Sequence, residues 1–317
     1  MAEIKKVYAR LGGCKASGTT RSKARAVACL ALSFINLARA ALAGGPGAGF
    51  HLAMAVRAVR LAGSKLSLSQ VYSLVAAPMD SFRYFEFDFF WESVRARSSL
   101  GSYLDVSSPR LFNWRVLASG KTKRAVLSNP DRKDLALTIE LLDAAALADH
   151  CEVRNAFVSE LAGLTQSFDT VVCISVLEHI PYGDAPAALQ TIWSLVKPGG
   201  RLLLSVPCAA GAFEEFTDFN EYGLLHADDG GFVFGQRFYD QKLLDEHIHA
   251  VVGAPSRSAI FGEKVAGTFF LNRQKKLSEP NYPFWKEAWY MATQYQHMDR
   301  VDDLPGLGVV AFEFVKA

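Results

Sequence analysis

Two stretches decide the fold: SFDTVVCISVLEHIP at residues 167–181 and LVKPGGRLLLSVP at residues 195–207. Each contains a continuous apolar run, at residues 170–175 and 201–206, as expected of strands that are buried on both faces. Residues 184–196 between them are predicted to form a helix, and the KPGG that follows is predicted to turn, because proline and paired glycines cannot continue a helix. Strand, helix and strand in this order predict neighbouring parallel strands of an α/β sheet.

The same alternation extends on both sides of this pair. Upstream, strands are predicted at residues 102–106, 124–128 and 151–157, with a helix at residues 131–148. Near the end of the chain, residues 308–315 (GVVAFEFV) form another predicted strand. Strands that alternate with helices of about 10–15 residues indicate a parallel sheet with helices on both faces.

The N-terminal third has a different pattern. Residues 1–22 are polar and rich in Gly, Ser and Thr, which predicts a flexible basic tail. Residues 23–97 are predicted to be a helical N-terminal region that serves as a lid or interaction surface. Its last helix, at residues 81–95 (SFRYFEFDFFWESVR), places four phenylalanines near one face, and Arg83, Glu86 and Glu92 are expected to lie elsewhere.

The charge is divided unevenly along the 317 residues. The net charge is +2, yet residues 1–65 carry eleven Lys or Arg and a single acid, Glu3. One interpretation is a solvated basic face, and the alternatives are contact with anionic lipid, nucleic acid or the acidic remainder of the chain, or an organelle transit peptide. The most apolar segment, residues 26–38, has about 13 residues, whereas a membrane span needs about 20.

The five cysteines include no C-x-x-C pair. This argues against a disulfide framework and against a zinc site, so no metal is expected. A reducing, cytoplasmic setting fits this pattern best.

The motif pair at residues 167–181 and 195–207 resembles the fourth and fifth strands of class I S-adenosylmethionine-dependent methyltransferases of the small-molecule type. The resemblance covers about residues 100–317 and rests on the LEHI and KPGG motifs. It implies an α/β, Rossmann-like, seven-stranded, mostly parallel sheet in the order 3-2-1-4-5-7-6, with an antiparallel last strand. Residues 98–317 are then the expected methyltransferase-like domain, with insertions at residues 209–246 and 277–306.

The resemblance also implies S-adenosylmethionine (SAM) as cofactor, at the carboxyl ends of the first and fourth strands. The residues it places there are Asp105, Ser107, Ser108, Asn129, Asp131, Ser175, Val176 and Glu178. Near the third strand, the corresponding region holds Phe157, Val158 and Ser159, with Glu160 as the nearest carboxylate.

Two departures from the family pattern affect this pocket. The loop after the first strand reads LDVSSPRLF, with no glycine after Asp105 and with Pro109 lacking an N–H. Asn129 stands where the family has an acid that binds the ribose hydroxyls. Hydrogen bonds to charged groups contribute about 1.5–3 kcal/mol against about 1 kcal/mol for neutral ones. The exchange is therefore expected to weaken cofactor binding by about tenfold or more.

The catalytic residue is unknown from sequence, and the candidates are His179, His226 and Tyr239. The acceptor pocket is predicted to include these last two together with Tyr222, Asp228 and Arg237, although Asp228 also suits a turn. A hairpin is predicted at Gly230-Gly231, between the HAD and FVFG segments.

The predicted function is methyl transfer to a small-molecule, sugar or lipid-linked acceptor. The alternative is a catalytically inactive methyltransferase-like binding or partner protein that has lost cofactor binding. A dehydrogenase is disfavoured because the first strand is not followed by G-x-G-x-x-G. A nucleic-acid substrate is disfavoured by the acidic main domain. A homodimer and peripheral membrane contact through the basic N-terminal region are the partners considered.

Overall fold

The computed structural model describes residues 4–11, 23–62, 66–181, 183–220, 223–279 and 282–317. The strands of this part of the chain are β1 (Lys5–Ala9), β2 (Gly101–Val106), β3 (Thr122–Ser128), β4 (Glu152–Arg154), β5 (Phe168–Ile174), β6 (Val196–Ala209), β7 (Phe213–Thr217), β8 (Val233–Phe238), β9 (Arg257–Glu263), β10 (Tyr295–Met298) and β11 (Leu307–Val315).

The α-helices of the described residues are α1 (Lys23–Leu42), α2 (Ala48–Arg60), α3 (Leu68–Ala76), α4 (Arg83–Arg95), α5 (Arg110–Leu117), α6 (Arg132–Ala144), α7 (Ala185–Leu195), α8 (Gln241–Leu244), α9 (Ala250–Val252), α10 (Thr268–Ser278) and α11 (Glu287–Gln294). A π-helical turn, Asp245–His249, joins α8 to α9. In the described part of the chain, no helix is long and apolar enough to cross a membrane.

The larger sheet has the order β10-β9-β11-β6-β5-β2-β3-β4. From β4 through β2 to β5 and β6 the neighbours are parallel, and β11 lies antiparallel between β6 and β9. The predicted order 3-2-1-4-5-7-6 with an antiparallel last strand is thereby confirmed. The long apolar runs indicated the buried strands, and the family resemblance implied their order.

The seven strands of this order are present, and β10 adds an eighth strand at the edge beyond β9. Its sequence, YQHM, is too short and too polar to be recognised as a strand. Long-range contacts stabilise it: it pairs antiparallel with Ile260 to Glu263, and the ring of Tyr295 packs against Phe82 at 5.3 Å between centroids.

The KPGG segment turns within the bounds of β6. Phe168 is paired with Val196 and Thr170 with Arg201, so four residues of β6 leave the ladder between these two pairs. Gly199 has φ 73°, the left-handed conformation that glycine adopts without steric cost. The predicted turn at KPGG is therefore present, as a turn within the bounds of β6.

The prediction of a flexible tail was wrong for Lys5–Ala9. These residues form β1, which pairs parallel with β7, and β7 pairs antiparallel with β8 in a separate three-stranded sheet. Tyr8 stacks on Phe216 with 5.4 Å between ring centroids, a contact that a sequence pattern does not show. The remaining predicted tail residues, 1–3 and 12–22, lie outside the described residues.

The hairpin in the insertion at residues 209–246 also differs from its prediction. Its first strand is β7 and not the HAD segment, and residues 218–232 connect it to β8. Gly231 has φ 80° and donates its N–H to the carbonyl of Asp228, so the predicted turn at Gly230-Gly231 forms the end of a longer connection.

The helices α1 to α4 occupy the range predicted as helical and cover one face of the larger sheet. Phe85, Phe87, Phe89 and Phe90 of α4 are buried in a core that also contains Phe112 of α5 and sheet residues such as Tyr103 and Val172. The other face of the sheet is covered by α7, α8 and α9. Glu86 corrects the sequence prediction: it was expected away from the aromatic face, yet its exposed fraction is 0%.

Candidate active site

A cavity of about 1150 Å³ lies at the carboxyl ends of β2, β3 and β5. Its other walls come from α3 with the segment that follows it, and from the β7–β8 hairpin. This is the edge of an open α/β sheet at which ligands bind, since the chain connections diverge there to opposite faces.

The cavity brings together five of the eight predicted cofactor residues: Ser107, Asn129, Asp131, Ser175 and Val176. The other three, Asp105, Ser108 and Glu178, are buried beneath this surface and are not part of the lining. At the predicted adenine side, Phe157, Val158 and Ser159 also line the cavity. Glu160 instead accepts a hydrogen bond from the N–H of Phe157 at 2.6 Å, which caps the short helix that follows.

Ser107 makes the turn after β2 in the absence of a glycine. Its φ is 53°, in the left-handed region, and both its N–H and its hydroxyl donate to the carbonyl of Ser128, at 2.8 and 3.3 Å. A non-glycine residue in this conformation costs on the order of 1–3 kcal/mol, which the neighbouring contacts must offset. Pro109 lies at the start of α5, where the N–H it lacks would have no partner within the helix.

Asp105 and Ser108 connect the β2 loop to the sheet. The carboxylate of Asp105 accepts from the N–H of Ser108 at 3.2 and 3.3 Å, and the hydroxyl of Ser108 accepts from the N–H of Ile174 in β5 at 3.0 Å. Burial raises the pKa of Asp105 to about 8, although its hydrogen bonds to Ser108 and Asn113 oppose the shift. Asp105 therefore supports the loop from below the cavity.

Asn129 belongs to a polar network in the cavity wall. Its side-chain oxygen accepts from the N–H of Asp131 at 2.9 Å, and its amide donates to Asp134 at 3.1 Å. Asp134 also forms an ion pair with Arg110 at 2.6 Å. Asp131 caps α6 by accepting from the N–H of Lys133 at 2.8 Å. Four side chains of this network line the cavity: Arg110, Asn129, Asp131 and Asp134.

Sequence reasoning missed Asp134. The family pattern places an acid at position 129, and the structure places one in the same wall through the first turn of α6. The available signal was its spacing, since Asp134 follows the helix cap Asp131 by three residues and so lies above the same end of the helix.

Ser175 forms the corresponding turn after β5, with φ 51°. Its N–H donates to the carbonyl and to the hydroxyl of Ser205 in β6, both at 3.1 Å. Its hydroxyl donates to the carboxylate of Glu86 at 2.5 Å, and the hydroxyl of Ser205 donates to the same oxygen at 2.6 Å. The other carboxylate oxygen of Glu86 pairs with Arg83 at 2.5 Å.

Glu86 is thus a second residue that the sequence did not identify. It belongs to α4, is fully buried, and holds two serines at the ends of adjacent strands. Ser175 and Arg83 both line the cavity, so one carboxylate connects the helical region to the floor and to the wall of the site.

His179 is the candidate catalytic residue that the structure places in the cavity lining. Its Nδ1 lies 2.7 Å from the carbonyl oxygen of Gly235 in β8. A carbonyl only accepts, so Nδ1 carries the hydrogen and Nε2 is the basic nitrogen. Burial lowers the pKa of His179 to about 4, so the ring is neutral at pH 7.

Glu178 precedes this histidine and is 2% exposed. Its Oε1 lies 3.9 Å from Nε2 of His179, and its Oε2 has no hydrogen-bond partner among the described residues. Burial is the main reason that its pKa is raised to about 8. The carboxyl is therefore largely protonated at pH 7, and it lies buried behind the residues that line the cavity.

The remaining acceptor-side predictions are placed outside the cavity lining. His226 is exposed, Tyr239 is 1% exposed, and Arg237 is buried in an ion pair with Glu214 at 2.9 Å. Asp228 accepts from the N–H groups of Gly230 and Phe232, so it is a turn residue. Tyr222 lies outside the described residues.

The wall opposite the strand ends is mixed in character. Glu215 of β7 is 1% exposed and binds Arg273 and Gln236, and all three line the cavity. The apolar part of the wall consists of Leu66, Leu74, Met79, Phe87, Leu111, Leu141 and Phe234. This compartment can accommodate a molecule with an apolar body and a polar end.

Curated proteins match this chain over short segments. Ubiquinone biosynthesis O-methyltransferases are similar over short segments: 54% identity over 39 residues for Xanthomonas euvesicatoria pv. vesicatoria, and 44% over 55 residues for Xanthomonas oryzae pv. oryzae. These matches cover 12% and 17% of this chain, and only 16% and 22% of the relatives' own length.

Two solved structures align with part of this chain at TM-scores below 0.5. One is the 1,6-didemethyltoxoflavin-N1-methyltransferase of Burkholderia thailandensis, at 15% identity and TM-score 0.45 over 75% of this chain and 79% of that one. The other is the geranyl diphosphate C-methyltransferase of Streptomyces coelicolor, at 8% identity and TM-score 0.46 over 78% of each chain.

The family comparison covers the region that contains β2 to β8. Residues 96–246 match a family described as a methyltransferase domain. This range includes the LEHI and KPGG motifs and the strand ends that line the cavity. Residues 96–246 therefore match the methyltransferase domain family, and the larger sheet has the strand order that the resemblance to class I methyltransferases implies.

Proposed function

We propose that this protein transfers a methyl group from SAM to a small-molecule acceptor with an apolar body. The observation that carries the proposal is the single cavity at the ends of β2, β3 and β5. It joins the predicted cofactor residues to a largely apolar compartment that also contains His179. Its volume of about 1150 Å³ leaves room for a cofactor and an acceptor together, since ligand pockets commonly have about 300–1000 Å³.

The side chains that line the cavity are of the types that can bind the ribose, the adenine and the amino-acid end of SAM. Asp134 and Asn129 supply the carboxylate and amide for the ribose hydroxyls, and Phe157 to Ser159 supply the wall for the adenine. The serine turns at positions 107 and 175 bring backbone close to the amino-acid end. When bound, SAM supplies an activated methyl group on a positively charged sulfur.

His179 is the proposed general base. Its Nδ1 donates to Gly235, so the lone pair of Nε2 is the one that accepts a proton from an acceptor hydroxyl or amine as the methyl group is transferred. The lowered pKa keeps the ring neutral at pH 7 and also makes it a weak base. The hydrogen bond to Gly235 fixes the ring orientation. The O-methyltransferases among the relatives support a hydroxyl acceptor, and the apolar wall favours a lipid-linked or aromatic molecule over a free sugar.

One observation favours an inactive, binding-only protein as the second candidate. Both functional groups of the Asn129 side chain are already engaged, one by Asp131 and the other by Asp134. A ribose must replace these bonds, and the replacement reduces the net gain from each new bond.

Titration calorimetry with SAM and with S-adenosylhomocysteine tests the proposal. Wild-type protein is expected to bind at micromolar concentration. Asp134→Asn is expected to weaken binding by about tenfold, because a charged acceptor is lost. The exchange of both residues, Asn129→Asp with Asp134→Asn, returns one carboxylate to the position typical of the family and is expected to tighten binding by about tenfold relative to Asp134→Asn.

The matched control is Asp143→Asn, an exposed acid elsewhere on α6, which is expected to leave binding unchanged. Asn129→Asp alone places a second carboxylate beside Asp134 and is expected to gain little, since like charges repel. No binding of either compound by the wild type would contradict the proposal, and binding that appears only in the exchanged protein would establish the inactive alternative.

A further inference from the structure

Helix α1 is apolar on both sides, although one side faces outward. Its inner face, with Cys29, Ser33, Leu37 and Ala40, is buried and packs mainly against α11 and the short helix before it. Its outer face exposes Leu32, Phe34, Ile35 and Leu42, with exposed fractions of 39, 40, 55 and 90%. A helix that is apolar all round is normally buried, so a large apolar surface of this kind indicates an interaction site.

The sequence on both sides of this outer face carries positive charge and no acid. It contains no Asp or Glu from residue 4 to residue 79, whereas it contains eleven Lys or Arg in the same range. On the face itself, Arg39 is the exposed charged residue of α1 within residues 28–42. Two copies of this basic region repel each other, so an anionic partner fits better than a second copy of this chain.

Helix α3 lies between α1 and the cavity. The hydroxyl of Ser33, on the inner face of α1, donates to the carbonyl of Ala76 in α3 at 2.6 Å, and Ser69, Gln70, Ser73 and Leu74 of α3 line the cavity. A surface that binds the outer face of α1 is therefore separated from the cavity by α1 and α3.

We propose that the outer face of α1 binds in the interface of a membrane that contains anionic lipids. The apolar side chains enter the acyl boundary and Arg39 contacts the phosphates, as in other interfacial helices. The apolar segment of residues 26–38 is too short to span a bilayer, so the helix lies in the membrane plane. This binding does not depend on methyl transfer.

Vesicle flotation with the full-length protein tests the proposal. The probes are vesicles of phosphatidylcholine alone and vesicles of phosphatidylcholine mixed with phosphatidylglycerol, which supplies the anionic headgroups. Wild-type protein is expected to float with the anionic vesicles, and less so in high salt. Ile35→Asp is expected to lower the partition coefficient by about tenfold or more, because a charge replaces an apolar side chain that would be buried in the membrane.

The matched control is Ile139→Asp, the same change at an exposed isoleucine of α6, which is expected to float like the wild type. Thermal unfolding of both variants shows that the fold is retained. Absence of flotation by the wild type, or equal flotation by Ile35→Asp, would overturn the proposal. So would a wild-type dimer in light scattering that Ile35→Asp dissociates in the absence of lipid binding, since the face would then be a self-association surface.

Discussion

Two serine turns with nearly the same backbone are supported in different ways. Ser107 and Ser175 follow β2 and β5 with φ angles of 53° and 51°, and both line the cavity. Ser107 is held by the carbonyl of the adjacent β3, whereas the hydroxyl of Ser175 is held by the carboxylate of Glu86 in α4.

The difference shows that the residues that support the site extend beyond residues 96–246, the range that matches the methyltransferase domain family. The support of the first turn lies within residues 96–246, and that of the second comes from a helix that precedes them. Because Glu86 also binds Ser205 and Arg83, the N-terminal helical region is part of the structure of the cavity. The three predictions below test this contrast, from the largest expected effect to the smallest.

Glu86→Ala tests the support of the second turn. It removes a carboxylate that binds the buried hydroxyl of Ser205, the partly buried hydroxyl of Ser175 and the guanidinium of Arg83, so the free energy of unfolding is expected to fall by about 3–5 kcal/mol. Urea denaturation measures this change. The control is Glu92→Ala, on the same helix, where the exposed pair with Arg257 is expected to contribute less than about 1 kcal/mol. Equal losses in the two variants would show that Glu86 does not support the turn.

The buried carboxyl near each turn predicts a common pH dependence. Asp105 and Glu178 have pKa values raised from 3.8 and 4.5 to about 8, so the folded state binds more protons than the unfolded state between these limits. Stability is therefore lost as the pH rises through this window. His51 and His179, with pKa values lowered from 6.5 to about 4, act in the opposite direction, but only below pH 6.5.

Between pH 6.5 and pH 8 the two carboxyls act without this opposition, and each is expected to reduce the free energy of unfolding by about 1–2 kcal/mol. Glu178→Gln should remove about half of the decrease, and Asp105→Asn the other half. Urea denaturation at both pH values measures it, with Glu92→Gln as the control that keeps the full decrease. A stability that is constant over this range would show that neither carboxyl is protonated in the folded state.

Exchange of each serine for glycine is expected to give effects of opposite sign. Ser107→Gly relieves the left-handed conformation and loses only a hydroxyl contact of 3.3 Å, so stability is expected to rise by up to about 1 kcal/mol. Ser175→Gly gains the same relief but loses a short bond to a carboxylate, and a net loss of about 1 kcal/mol is expected. Thermal unfolding compares them, and a change of the same sign in both would remove the contrast.

The sequence was sufficient where structure follows from local pattern. The apolar runs at β5 and β6 predicted buried parallel strands, and the family resemblance of their motifs implied the sheet order and positions such as Ser107 and Ser175 for the cavity. It was insufficient where structure depends on distant partners. β1 and β10 are short strands stabilised by pairing with distant segments, and Glu86 is buried only because two serines meet it at the sheet edge.

The pairing of β1 with β7 has a consequence for how the chain acquires this site. Lys5 is paired with Phe213, so during translation this segment must wait for a partner made roughly 200 residues later. Pairings of such long range close large loops and form late in folding. Since β7 and β8 carry Glu215, Gln236 and the carbonyl that holds His179, the wall around the proposed base is completed only after the rest of the sheet has begun to assemble.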